Sequence, residues 1–335
     1  MHFLKESLAL VYPIRYTKAR DLSSDCGEAR ASQNAWKGKT RLGIAVYHYS
    51  AFSRVPGKGN PAGLVFEADQ LTDERMQEIA RLVGFNETTF ICQSTTADLR
   101  LRYFTPGHEM NLCGHGTIAA LYALKTRNIL ANSTESLTLI VETRAGLLPM
   151  SIATREGRPV VRMQQAQAEF RRFAGSPDLL AAALELDPAD LDQSLPTVYA
   201  STGTWTLLVP VRTLAAFECM EPHNERFPEI LQEMPRVSVH PFCLQTYDPQ
   251  ALLHGRHFSS PFSGTREDPV TGTASGALGA YYIEYIKPLD HLRLTIEQGH
   301  EIGRAGQVIV EAERSTRSIQ VAIEGTAIYE ACWEI

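Results

Sequence analysis

Gly114-His115-Gly116-Thr117-Ile118-Ala119-Ala120-Leu121 reads against Thr271-Gly272-Thr273-Ala274-Ser275-Gly276-Ala277-Leu278, a second copy of the same idea close to half the chain away. In each, a Gly-Thr pair follows a loop and opens a helix made almost wholly of small and apolar residues, Gly114–Arg127 in the first case and Thr273–Lys287, stopped by Pro288, in the second. Charge enters the first helix only at its end, in Lys125 and Arg127. A helix without a polar face must be buried on every side. Two such helices in 335 residues predict two related halves, each with its own core.

The segments around them are mostly strands. Leu42–Tyr49, Ala62–Glu67, Glu87–Cys92, Leu99–Phe104, Ser136–Val141 and Pro159–Met163 are rich in β-formers, as are Trp205–Val211, Val237–Leu244, Leu292–Ile296, Gln307–Ala312 and Ser318–Ile323. Peripheral helices are expected at Leu179–Leu186, at Leu214–Met220 and after Thr72, which can cap, with Met76, Ile79, Ala80 and Val83 as the apolar stripe and Gly84 as the stop. Helices do not follow every strand, so the expected class is α+β: two similar domains, each a curled, mostly antiparallel, barrel-like sheet around a central helix. Residues 41–168 form the first domain and 169–335 the second. Residues 1–40, where Arg20–Thr40 has no periodicity, read as a poorly packed, dispensable extension.

Composition narrows the function. Hydrophobic residues are 44% and charged residues 21%, and Lys+Arg 32 against Asp+Glu 38 gives −6 with no basic stripe, so no nucleic-acid partner is expected. No run of 18 apolar residues exists to span a membrane. Met1–Tyr16 has a lysine inside its apolar stretch and no small-residue cleavage site, which points away from secretion and toward the cytoplasm. The cysteines Cys26, Cys92, Cys113, Cys219, Cys243 and Cys332 are scattered, with neither a disulfide framework nor a metal-ligand spacing. Phosphate-binding, nucleophile-elbow and metalloprotease signatures are missing, so cofactor-free chemistry without a metal is expected.

Chemistry is best placed at the two helix openings. The first turn of a helix offers free N–H groups and the positive end of the dipole, suited to a carboxylate. His115 lies in one opening, and Glu267-Asp268-Pro269 leads into the other. Glu87 stands at the mouth of a strand; a carboxylate desolvated by Phe85 and Phe90 suits proton transfer. Cys113 precedes the first opening, but the matching segment Asp268–Gly272 has no second thiol, so a two-base cysteine mechanism is disfavoured and Cys113 reads as wall or core.

The stretches Gly59-Asn60-Pro61-Ala62, Asn86-Glu87-Thr88, Phe104-Thr105-Pro106, Gly114-His115-Gly116-Thr117, Ser201-Thr202-Gly203, Glu267-Asp268-Pro269-Val270-Thr271-Gly272-Thr273-Ala274 and Glu297-Gln298-Gly299, in this order, resemble the PhzF-like isomerases of the diaminopimelate-epimerase-like superfamily. The resemblance implies an interdomain site, a homodimer, and a proton shift on a small carboxylate-bearing substrate. It puts the acid/base role on Glu87, site roles on His115 and Asp268, and substrate binding on Gly114, Gly116, Thr117, Gly272 and Thr273. Two departures are visible: Thr273 stands where Ser is frequent, and the first opening reads Gly-His-Gly-Thr rather than Gly-His-Pro-Thr. A catalytically idle binding protein of the same fold is the alternative, and a cysteine-based amino-acid epimerase the lesser one.

Overall fold

Strand β1 (Ala45–Ala51) is the first element among the residues that the computed structural model describes, 43–130, 136–316 and 318–335. The extension expected over residues 1–40 lies outside the described residues. The first half continues through β2 (Asn60–Val65), α1 (Asp73–Val83), β3 (Thr88–Cys92), β4 (Leu99–Phe104), β5 (Glu109–Met110), α2 (Gly114–Thr126), β6 (Ser136–Thr143), β7 (Gly146–Arg155) and β8 (Arg158–Gln164). The second half holds β9 (Glu169–Arg172), α3 (Pro177–Ala183), β10 (Val198–Ser201), β11 (Trp205–Pro210), α4 (Leu214–Cys219), α5 (Phe227–Ile230), β12 (Ser238–Cys243), β13 (Leu253–Gly255), α6 (Gly272–Tyr281), β14 (His291–Gln298), β15 (Gly306–Arg314) and β16 (Ile319–Gly325). A last strand, β17 (Ala327–Glu334), follows.

Local chemistry sets the boundaries. Thr72 caps α1 by accepting from the Arg75 N–H at 3.3 Å, and Gly84, at φ 71°, turns the chain out of it. The second central helix ends sooner than its apolar run: α6 stops at Tyr281, and Tyr282–Ile286 continue as a π-helical turn before Pro288. Strands β5, β7, β9, β10, β13 and β17 escape the periodicity reading; β5, β9, β10 and β13 are two to four residues long, β7 carries Pro149, and β17 has a single fully buried residue, Ala327.

The pairings repeat. In the first half, β1/β2 are antiparallel, β2/β3 parallel, β3/β4 antiparallel, β4/β6 parallel, and β6/β7 and β7/β8 antiparallel. In the second, β10/β11 are antiparallel, β11/β12 parallel, β12/β13 antiparallel, β13/β14 parallel, and β14/β15 and β15/β16 antiparallel. The short echo at the two helix openings therefore belongs to a repeated supersecondary unit. The fold is α+β: one mixed, curled sheet that does not close, in two similar halves. Helix α2 packs on β1, β2, β3, β8 and β17, and α6 on β10, β11, β14, β15 and β16.

The halves are joined by exchange. The boundary expected at 168/169 falls between β8 and β9, yet β16 pairs with β8 across it, and β17 pairs with β1, beside which it occupies the place that β9 takes beside β10. Close approach of sheet to helix accounts for the glycines: a Cβ on Gly279 would lie 2.4 Å from Val310 Cγ1. Among the described cysteines, Cys92, Cys113, Cys219 and Cys243 are free.

Candidate active site

Helix α2 begins at Cys113, whose Sγ accepts from the Gly116 N–H at 3.3 Å. A proline at 116 has no N–H to give, so the departure to Gly-His-Gly-Thr is matched by this sulfur cap. Tight packing adds to it, since a Cβ on Gly116 would sit 2.4 Å from Thr89 Oγ1. Helix α6 is arranged differently. Its N-cap residue Thr271 makes no side-chain cap; the hydroxyl donates instead to Asp268 Oδ2 at 2.5 Å, leaving the first N–H groups of α6 open to a ligand.

Both helix starts border one cavity of about 440 Å³ between the halves, with Glu87, Gly114, His115, Asp268, Gly272 and Thr273 in its wall. Gly116 and Thr117 do not line it. The Thr117 hydroxyl donates to Cys113 O at 2.7 Å and pairs with Tyr103 Oη, and the Gly116 N–H is spent on the sulfur cap. Their polar groups are used inside the fold. Glu267 likewise points elsewhere, held by Arg256 through two bonds of 2.9 and 2.8 Å.

A chain of short contacts connects the three principal residues. Glu87 Oε2 lies 3.1 Å from His115 Nε2. His115 Nδ1 lies 3.2 Å from Asn60 Nδ2, which also donates to Asp268 Oδ1 at 2.8 Å and Val270 O at 2.9 Å. Asn60 has two hydrogens for three acceptors. An amide nitrogen only donates, so in the neutral ring the His115 Nδ1 facing Asn60 Nδ2 is assigned as the unprotonated nitrogen and Nε2–H as the one facing Glu87. Asp268 is held further by Asn86 and by Gln298, whose Nε2 donates to Asp268 O at 2.6 Å and whose Oε1 accepts from Thr271 N. Asn60, Thr271 and Gln298 carry no charge and no reactive group. They stand inside the Gly59–Ala62, Glu267–Ala274 and Glu297–Gly299 stretches, and position in those stretches was the one available signal for them.

The neighbour of Glu87 is an imidazole rather than the expected aromatic pair. Phe85 packs on His48 and Trp333, and Phe90 on Phe104. Burial pushes the Cys113 thiol up, so it stays protonated. Burial opposes a charge on His115, but the neighbouring Cys113 sulfur and Glu87 carboxylate outweigh it and hold the imidazole well above its ordinary value. A protonated thiol carries no charge, so Glu87 is the partner that counts. The added proton goes to Nδ1, beside Cys113 Sγ at 3.6 Å, a sulfur that also accepts from the Gly116 N–H.

Donor atoms of Glu87, Cys113 and His115 lie within 4.8 Å of one another, as do those of His254, Glu297 and His300 outside the cavity wall. Both groups assemble through the fold, which is why no ligand spacing marks them in the sequence. In the first, the sulfur is already committed to the helix cap.

Comparison with known proteins assigns the chain to a family. The family model described as phenazine biosynthesis-like protein, PhzC-PhzF, matches residues 49–332. The chain belongs to the PhzC-PhzF family. It is 49% identical to the uncharacterized isomerase YfhB of Bacillus subtilis over 284 residues, 85% of this chain and 96% of that protein. It is 29% identical to the trans-2,3-dihydro-3-hydroxyanthranilate isomerase of Pseudomonas aeruginosa over 84% of this chain and 95% of that one. A crystal structure of a Bacillus anthracis phenazine biosynthesis protein of the PhzF family superposes with a TM-score of 0.85 at 49% identity, covering 88% of this chain and 99% of that one. This PhzF-family chain is an isomerase, and its curled α+β halves are the family fold. No described helix is long and apolar enough to cross a membrane.

Proposed function

We propose that this PhzF-family isomerase moves a proton, without a cofactor, between two carbons of a small carboxylate-bearing metabolite. The observation that carries the reading is the Glu87–His115 contact of 3.1 Å in a cavity bordered by two helix N-termini. The Glu87 carboxylate takes a proton from a carbon activated by the substrate carboxylate. The electron pair moves into the conjugated system and the developing charge is met by the N–H groups of Gly114, Gly272 and Thr273. Glu87 then returns the same proton to a second carbon, so the product is an isomer and the enzyme is unchanged. His115 faces the Glu87 carboxylate at 3.1 Å and keeps it aimed into the cavity. Asp268, through Asn60, holds His115 in register. The named activity of the Pseudomonas relative, an isomerase of a hydroxylated cyclic amino acid, is a precedent for the substrate class.

A two-thiol epimerase is not favoured, because among the described residues Cys113 alone of the cysteines lines the cavity, and its thiol is held protonated. Work in the cytoplasm as a homodimer, with residues 41–168 and 169–335 as its domains, belongs to the same proposal; light scattering tests the dimer. The decisive experiment is deuterium uptake from heavy water into candidate carboxylates. The wild type is expected to exchange one C–H, and Glu87→Gln, which keeps the shape but cannot accept a proton, to exchange at least about a hundredfold more slowly with an unchanged melting curve. Exchange at the wild-type rate would remove Glu87 from the mechanism.

A further inference from the structure

His257 is the buried cavity-wall group that the proton-transfer scheme leaves unused. It lines the same cavity as Glu87 and Asp268, it is 8% exposed, and its backbone oxygen accepts from the Asp268 N–H at 2.9 Å. Its Nδ1 lies 3.2 Å from Nδ1 of His240, a residue with no exposed surface. Two facing nitrogens share one hydrogen, and the question is which ring carries it.

The surroundings of His240 decide this. Its Nε2 is buried without a hydrogen-bond partner and abuts the Gly255 backbone, where a Cβ would come within 2.9 Å. A proton there would be pressed against a Gly255 Cα–H that points at the same nitrogen, whereas a bare lone pair can face that C–H as a weak acceptor. A neutral His240 therefore carries its proton on Nδ1 and donates it to His257 Nδ1. His257, its Nδ1 thus an acceptor, must carry its own proton on Nε2. That Nε2 has no partner among the described residues and is not sealed off as His240 Nε2 is, so it opens on the cavity its ring lines. Both rings stay neutral: burial lowers His240 well below the ordinary value and takes His257 down to about 4, against the pull of Asp268. His240 and Asp268 are the titratable groups beside His257. The wall continues from His257 into hydroxyl side chains at Ser259, Ser260, Ser263 and Thr265.

We propose that His257 is a substrate-binding residue whose Nε2–H, fixed by the His240 contact, hydrogen-bonds a neutral oxygen substituent of the substrate, so that the preferred substrates are hydroxylated carboxylates. This rests on the isomerase reading for the site itself and extends it to the substrate class. The helix N-termini take the carboxylate, Glu87 takes the proton, and the His257 side of the cavity takes a hydroxyl group lying away from both.

Two measurements test it. In protein carrying ¹⁵N-histidine, the His257 ring, assigned through His257→Gln, should show an Nε2–H tautomer at pH 7, and His240 an Nδ1–H tautomer; the opposite pair, or a charged His257, overturns the assignment. Calorimetric binding is then compared for carboxylates differing by one hydroxyl: malate and succinate, 3-hydroxybutyrate and butyrate, serine and alanine. The hydroxylated member of at least one pair should bind roughly 3- to 10-fold more tightly, the worth of one neutral hydrogen bond. That advantage should vanish in His257→Phe and survive in His257→Gln, which keeps a donor. No advantage in any pair, or an advantage that outlasts His257→Phe, overturns the proposal. The isomerase reading fails separately, if the carboxylates bind with the expected preference and none takes up deuterium.

Discussion

One amide holds the site in place. Asn60 is fully buried and its Nδ2 reaches His115, Asp268 and Val270 from the first residue of β2, so residues from both halves are tied to one nitrogen. Asn60→Ala would leave Asp268 Oδ1 and Val270 O short of a donor; a loss of about 1–3 kcal/mol is expected in chemical denaturation. Deuterium exchange should drop at least tenfold, because His115 loses the group that orients it. Cys113 is the contrasting case. Its sulfur caps α2 and its thiol stays protonated, and a serine oxygen caps equally well. Cys113→Ser is expected to keep activity within about tenfold, and a thousandfold loss with the fold intact would restore a cysteine base.

At the level of the element, the two central helices do different work with the same opening. Both are buried on every side, which demands small residues wherever a strand crosses closely. Gly279 faces Val310 at 2.4 Å for a hypothetical Cβ, and β15 cannot move without breaking its pairing with β14 and β16. Gly279→Ala is therefore expected to destabilise by about 1–3 kcal/mol despite the better helix propensity of alanine, read as a lower melting temperature. The N-terminus of α2 is capped by Cys113, that of α6 is not capped by any side chain. Asp268 and Thr271, bonded to each other instead, keep the α6 opening free for a ligand. Thr271→Val should weaken carboxylate binding by releasing Asp268, with little change in melting temperature.

Across the whole molecule, β17 returning to β1 makes the C-terminus part of the first half. Ending the chain before Ala327 would expose the edge of β1 and one side of α2, which β17 covers, so that truncation should unfold the first half and abolish exchange rather than trim a tail. Stability against acid is a property of the same scale. Unfolded, His257 ionises near its ordinary 6.5; folded, at about 4. Between those values the unfolded chain binds more protons, so the contribution is full above pH 6.5 and is lost as pH falls toward 4. The full shift is worth about 3 kcal/mol. His115 is raised and acts in the opposite sense, losing its contribution as pH rises above 6.5, outside the acid window. Urea melts at pH 7, 5.5 and 4.5 should show a steeper acid loss in the wild type than in His257→Gln; equal slopes would mean that His257 ionises normally.

Periodicity and local chemistry were enough to place the central helices, most strands, the caps at Thr72 and Gly84 and, from the repeated Gly-Thr openings, the existence of two related halves. Those features depend on neighbours within a turn or a strand, which is the range over which a sequence carries physical information by itself. The candidate proton-transfer residues Glu87, His115 and Asp268 were legible because charged or titratable groups at helix openings and strand ends are unusual and stand in recognisable stretches. The rest was decided by distance in space. Asn60, Gln298 and Thr271 are ordinary polar residues until the fold brings them within bonding reach of Asp268. Gly116 and Thr117 look like ligand contacts until the helix start turns their polar groups inward. His240 and His257 pair across 17 residues of chain, and β17 finds β1 from the opposite terminus. Hydrogen bonds and strand pairings of this kind are short in space and long in sequence, and only the packed sheet chooses among the partners that composition would allow.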